Sequence, residues 1–250
     1  MKTDEIFRTA TARPAGFEFN KEVAQVFDDM LVRSIPMYTD QQRMVRDLAA
    51  EFWIPATNIY DLGCSTATTL INIARVVPGP CRLIGFDSSL PMIEEARAKI
   101  RNEGLAERIT LECVDLNAEP MVSGLENASV VILCWTLQFV SPGNRERLMR
   151  WVYDGLVEGG ILIMTEKILA ADQDVNGFFV DSYHGFKKRN DYSAEEILRK
   201  REALENVLIP YSAAQNADLF RKSGFQIVET FFQWYNFAGY IGRKTPAAAK

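Results

Sequence analysis

The run Ser129–Trp135, Ser-Val-Val-Ile-Leu-Cys-Trp, is almost purely apolar and ends within a few residues. Such a stretch suits a strand buried on both faces, the condition of a strand inside a parallel sheet. Parallel neighbours need crossover connections, and the chain supplies them on either side. Asn58–Leu62, Cys81–Phe86 and Ile109–Val114 read as strands before it, and Ile161–Thr165 as one after it. Thr68–Val77, Pro91–Asn102 and Arg145–Leu156 have helical apolar spacing, with Pro91 in a first turn. Gly159-Gly160 is expected to turn the chain into the last of these strands. This alternation predicts a doubly wound parallel sheet.

Two helices, Glu22–Arg33 and Asp40–Phe52, are expected ahead of the sheet, parted by the turn-like Ser34–Tyr38 and closed by Pro55. The last third breaks the alternation. Asp174–Lys188, Ala194–Val207 and Ala213–Ser223 read as successive helices, and Gln226–Phe232 and Asn236–Arg243 as a terminal hairpin. A nicotinamide-binding Rossmann domain would continue with parallel strands instead. The predicted fold is therefore α/β, the Rossmann-like class I methyltransferase fold: a seven-stranded, mostly parallel sheet with a C-terminal antiparallel hairpin and extra helices. With no repeat or Gly/Ser linker, 1–250 is read as one domain, in which 1–55 form a helical cap and 170–210 a helical insertion before the final strands.

Composition narrows the function. No apolar run reaches the ~18 residues of a membrane-spanning helix, and Met1-Lys2-Thr3-Asp4-Glu5 leads into no apolar stretch. No membrane association and a cytoplasmic location are expected. A net charge of −5 offers no field to recruit nucleic acid, so no direct nucleic-acid contact is expected. The clusters Lys187-Lys188-Arg189 and Arg199-Lys200-Arg201 read as solvated helix faces. Cys64, Cys81, Cys113 and Cys134 show no C-x-x-C spacing, and His184 is the sole histidine. That inventory argues against a zinc site and against a Cys-His or Ser-His hydrolase with several candidate bases, and no metal is expected. The cysteines, each at or near a strand, suit small reduced core residues.

Open α/β sheets bind ligands at the carboxyl ends of their strands. The first such loop is Asp61-Leu62-Gly63-Cys64-Ser65-Thr66-Ala67-Thr68, an acid then a glycine that lets the backbone approach a ligand. The glycine usual later in such loops is replaced here by Ala67 or Thr68. Asp87 closes the second strand, about 20 residues on, where a carboxylate can accept from both ribose hydroxyls. Asp115 closes the third, placed to accept from an adenine amino group with Leu116 beside it. Each acid alone could be a polar strand terminus. Three in order, on consecutive strands, point to S-adenosylmethionine (SAM).

The whole chain resembles the carboxy-SAM synthases, methyltransferase-fold enzymes of the tRNA wobble-uridine oxyacetic acid pathway. The resemblance rests on Phe27-Asp28-Asp29-Met30, Arg33-Ser34-Ile35-Pro36-Met37-Tyr38, Tyr60–Ser65 and Thr136-Leu137-Gln138-Phe139. It extends through Glu166-Lys167, Phe186-Lys187, Tyr192-Ser193, Lys200-Arg201, Leu204–Val207 and Trp234–Phe237. It implies that SAM and prephenate yield carboxy-SAM and phenylpyruvate, the lost carboxyl being captured on the SAM methyl carbon through a sulfonium ylide. It also implies a homodimer. Carried over, Tyr38, Gly63, Cys64, Ser65, Asp87, Ser88, Asp115, Leu116 and Arg201 line the nucleotide site, with Asp61 in the same loop. Arg201 and Tyr38 are the catalytic candidates, Arg201 as a bidentate partner for the new carboxylate. Without the resemblance Arg201 reads as a surface residue paired with Glu205. Where the family has Asn at the end of strand four, this chain has Cys134, a poorer hydrogen-bonding group.

Tyr183, His184 and Lys188 fall on a helix expected to cover the site, where His184 is either an acid/base or a packing residue. Phe231, Phe232, Trp234, Tyr235, Phe237 and Tyr240 read as core or dimer packing as readily as a substrate box. Trp135 and Phe139 lie nearer the expected methyl group. Cys134 and the altered loop keep open a conventional methyltransferase acting on a small acid, or a SAM-binding protein without catalysis.

Overall fold

The computed structural model describes residues 3–8, 16–118 and 124–245. Met1 and Lys2, part of the stretch read for a leader, lie outside them. The sheet follows the order β3 (Ile109–Cys113), β2 (Arg82–Asp87), β1 (Asn58–Leu62), β4 (Ala128–Cys134), β5 (Leu156–Leu169), β8 (Phe237–Arg243) and β7 (Ile227–Trp234). The first five are parallel, and β8 runs antiparallel to both β5 and β7.

Two expectations need correcting. An eighth strand, β6 (Tyr211–Ser212), pairs with the far end of β5 at Ile168 and Leu169. Two residues are too few to leave any periodicity in the sequence. Nor does Gly159-Gly160 separate a helix from a strand, because β5 already begins at Leu156. The chain bulges there instead: Ala128 pairs with Leu156, and the next pairing joins Val130 to Ile161. Gly159 takes a positive φ of 80°. A Cβ at Gly160 would meet the Ser129 carbonyl oxygen at 3.0 Å, so the close approach of β4 needs glycine.

The apolar run of β4 is explained by its two faces. Val130 and Ile132, with Ile161 and Ile163 of β5, join the cluster beneath α2 (Tyr38–Phe52), α3 (Thr68–Ala74) and α4 (Leu90–Asn102). Val131 and Leu133, with Leu162 and Met164, face the other way, onto α5 (Pro142–Gly155) and α8 (Ala213–Lys222). The period of two thus splits one continuous hydrophobic run between two cores. Ile132 is fully buried. Ile132→Ala should lower stability by about 3–4 kcal/mol in urea unfolding; a loss under about 1 kcal/mol would mean that this strand is not the packed centre.

Two further groups of helices stand over the carboxyl end of the sheet. α1 (Lys21–Ser34) precedes α2, and α6 (Gln173–Arg189) and α7 (Ala194–Leu204) fill the interval between β5 and β6. The N-cap of α1 is Asn20, whose side chain accepts from Val23 N; α7 opens on a capping box of Ser193 and Glu196. Of the cysteines, Cys64 and Cys81 are buried and Cys134 partly so. Cys113 is exposed at the sheet edge, so the core reading fails for it.

Candidate active site

The loop after β1 folds under tight local constraints. Gly63 N and Cys64 N both donate to the Phe86 carbonyl, at 2.7 and 2.9 Å, folding the loop back over β2. Gly63 has φ 80°, and a Cβ there would run into the Thr136 side chain. Ser65 and Ala67 also take positive φ. Asp28 of α1 fastens the loop, since Thr66 and Thr68 both donate to its Oδ1 at 2.7 and 3.0 Å, while Lys99 of α4 pairs with its Oδ2 at 2.5 Å. Thr66 and Thr68, on either side of Ala67, thus tie the loop to α1. Asp28→Ala is expected to weaken SAM binding by about tenfold, roughly 1.4 kcal/mol, in calorimetry with circular dichroism unchanged; unaltered binding would show that the fastening is dispensable.

Beside this loop lies a cavity of about 730 Å³, large enough for a nucleoside and a second molecule. Tyr38, Asp61, Gly63, Cys64, Ser65, Asp87, Ser88, Asp115, Leu116, Cys134 and Arg201, all singled out from the sequence, line it together. Its two ends differ in charge.

The acidic end is formed where β1, β2 and β3 stop. Asp87 accepts from Ser65 N at 2.9 Å through one oxygen and from Ser89 N at 2.8 Å through the other. Burial raises its pKa, against those two donors. Asp61 is deeper. Burial, then the neighbouring Asp87 charge, pushes its carboxyl up to about 7, and its Oδ1 is buried without a hydrogen-bond partner among the described residues. An orphaned carboxylate oxygen in the wall of a cavity calls for a cationic donor, and the ammonium of SAM's methionine part fits it. Tyr38 and Cys134 complete this corner. Burial pushes both of them up, and the Asp61 charge adds to it. Asp115 is more exposed, and its Oδ1 accepts from Asn117 N at 2.8 Å.

The basic end is built by β5, α6 and α7. It brings together Lys167, Tyr183, His184, Lys187, Lys200 and Arg201. The solvated-face reading of the two basic clusters fails here: Lys187 is 5% exposed and Lys200 6%. Lys187, not Lys188, faces the cavity, and Lys188 is exposed outside it. Burial lowers Lys167 to about 8, with Arg201 adding repulsion. Burial also holds Lys187 well below its ordinary value, with Lys200 and Lys167 adding repulsion. Burial, then Lys187, Lys167 and Arg201, lowers His184 as well. Arg201 makes no ion pair with Glu205 among the described residues, so the helix-surface pairing is not formed. Of the aromatic run, Phe237 lines the cavity. Phe231, Phe232 and Trp234 pack around it with Trp135 and Tyr183.

Lys200 is held from behind by the chain terminus. Asp4, 2% exposed, accepts from the Tyr192 hydroxyl at 2.6 Å and lies 3.7 Å from Lys200 Nζ. Lys200 also donates to Ser34 Oγ at 3.2 Å. Arg33 donates to the Asp4 carbonyl and stacks on the Tyr192 ring at 4.2 Å. The sequence reading assigned no role to Lys167, Lys187, Lys200 or Asp4. The signal available was a charged pair, Glu166-Lys167, at the end of an apolar strand.

A sequence family described as a methyltransferase domain matches residues 59–160. A solved S-adenosylmethionine-dependent methyltransferase of Methanococcus maripaludis superposes with a TM-score of 0.63 at 19% identity, over 96% of this chain and 100% of its own. Human N-acetylserotonin methyltransferase, solved with SAM, gives a TM-score of 0.61 at 16% identity, over 90% of this chain and 55% of its own. Carboxy-S-adenosyl-L-methionine synthase of Methylococcus capsulatus is 44% identical over 98% of this chain and 100% of its own. Its namesake in Nitratiruptor is 39% identical over 98% and 99%. With the class I methyltransferase fold, a cavity whose acidic end suits SAM and relatives matched end to end, this SAM-dependent transferase belongs to the carboxy-S-adenosyl-L-methionine synthase family.

Proposed function

We propose that the protein converts SAM and prephenate into carboxy-SAM, phenylpyruvate and water, supplying a carboxylated cofactor for modification of the tRNA wobble uridine. The observation that carries this reading is a buried cluster of cations in an otherwise acidic protein, set in the same cavity as the SAM-type acids. SAM supplies the methyl carbon on which the carboxyl group is fixed. Asp61 holds the ammonium of its methionine part, Asp87 the ribose diol and Asp115 the adenine edge. Tyr38 closes the corner over the sulfonium. Arg201 pairs with the carboxylate as it forms, and its fixed charge stabilises that anion without exchanging a proton. The acidic chain thereby concentrates positive charge where a carboxylate must be held. The same reading makes the enzyme a cytoplasmic homodimer with no nucleic-acid contact of its own.

The test is mass spectrometry of the small molecule released on denaturing the purified protein, followed by incubation with SAM and prephenate. A species heavier than SAM by one carbon dioxide, with phenylpyruvate formed in equal amount, supports the reading. Accumulation of S-adenosylhomocysteine with a small acidic acceptor would replace it by conventional methyl transfer, the alternative that Cys134 in the cofactor corner favours.

A further inference from the structure

The basic end carries more positive charge than its own acids meet. Lys200 has Asp4 behind it. Lys167 and Lys187 have no such partner: among the described residues neither ammonium makes a hydrogen bond or an ion pair. Both are held instead against one aromatic ring, with Lys167 Nζ 4.5 Å and Lys187 Nζ 4.6 Å from the centre of Tyr183. Tyr183 and Lys187 stand four residues apart on α6, so that ring lies beneath the second ammonium by helix geometry, while Lys167 reaches it from the end of β5. A ring face gives an ammonium less than the water it displaces. Two lysines brought together on one ring without an ion-pair partner, both lining the cavity, make a receptor for an anion, which would favour the charged forms that burial disfavours.

Arg201 cannot serve that anion and the new carboxylate at once. On the carboxyl-transfer reading above, one carboxylate leaves the second substrate and goes to Arg201. The geometry points to Lys167 and Lys187 as a separate subsite for the carboxylate that stays behind on the apolar body of the second substrate. Trp135, Tyr183 and Phe237 line the same space and suit that body. The two lysines are specificity-determining residues: they hold the co-product's anion, and Tyr183 sets their position.

The proposal rests on that reading, and its test separates the two. Isophthalate and benzoate, rigid aromatic di- and monocarboxylates, are titrated into SAM-saturated wild type and Lys167→Met/Lys187→Met. The expected result is at least tenfold tighter binding of isophthalate by wild type. That preference should vanish in the double variant, while SAM affinity stays within twofold and Lys187→Arg retains it. With prephenate, the single methionine variants should raise KM tenfold or more with kcat changed less than threefold. A dicarboxylate preference that is absent in wild type, or that survives loss of both lysines, overturns the subsite. If prephenate is not turned over but the preference follows the lysines, the prephenate reading fails and the subsite stands.

Discussion

Arg201→Ala is expected to bind SAM like the parent protein and to lose nearly all preference for carboxy-SAM, by about fiftyfold to a hundredfold. A charge-assisted, two-pronged guanidinium–carboxylate contact contributes roughly 2–3 kcal/mol, and only the carboxylated ligand can make it. Arg201 engages no acid among the described residues, so removing it leaves no partner stranded. Arg201→Lys keeps the charge but not the planar fork, and should recover only part of the preference. The measurement is a pair of calorimetric titrations, one per ligand, on each variant. Equal loss for both ligands would place Arg201 against the nucleoside. No loss for either would remove it from the site.

The second large effect is on pH. A carboxyl group held at about 7 is half protonated in neutral buffer, whereas a bound ammonium and sulfonium favour its anion. SAM affinity should therefore rise as pH climbs from 5.5 to 7, by up to about tenfold per unit, and flatten above it. Binding at pH 6.5 should release a proton, read from heats measured in buffers of different ionisation enthalpy. Asp61→Asn should flatten the profile and weaken SAM by about a hundredfold at pH 8, the scale of a lost buried ion pair. Stability without ligand moves the other way. A carboxyl whose pKa is raised on folding contributes stability below its ordinary range near 3.8, lost as pH rises through about 7. By pH 8 the buried charge costs the free protein on the order of 3–4 kcal/mol, so Asp61→Asn should raise the melting temperature there. The lysines near 8 titrate in the same region, and the comparison with Asp61→Asn at each pH isolates the aspartate. A flat wild-type profile would sink this account of the corner.

The parts of the molecule legible in the sequence were those fixed by local rules. The apolar run of β4, the proline opening α4 and the acids closing β1, β2 and β3 each declare themselves within a dozen residues, and together they locate one cavity. The basic end was illegible for the opposite reason. Lys187 and Lys188 are neighbours with the same chemistry, and only the packing of α6, through Tyr183, on Phe237 decides which is buried. Lys200 reads as a solvated helix residue until Asp4 is placed behind it. Gly159 misled because a bulge and a turn ask for the same residue. The loss of the later loop glycine to Ala67 or Thr68 is visible in the sequence, but the use of the loop hydroxyls appears only with Asp28, on another element.

Asp4 and Tyr192, joined by a 2.6 Å hydrogen bond, are 188 positions apart in the chain. During synthesis the Asp4 carboxylate emerges from the ribosome well before Tyr192 and must stay solvated until that partner follows. Closing a loop of that length is slow in entropic terms, so the basic end is expected to be among the last regions to order. Newborn chains would then pass through a stage in which β1 to β5 can already pair while the cations of the basic end have no fixed positions. Such copies would have the acidic corner of the cavity and lack its basic end.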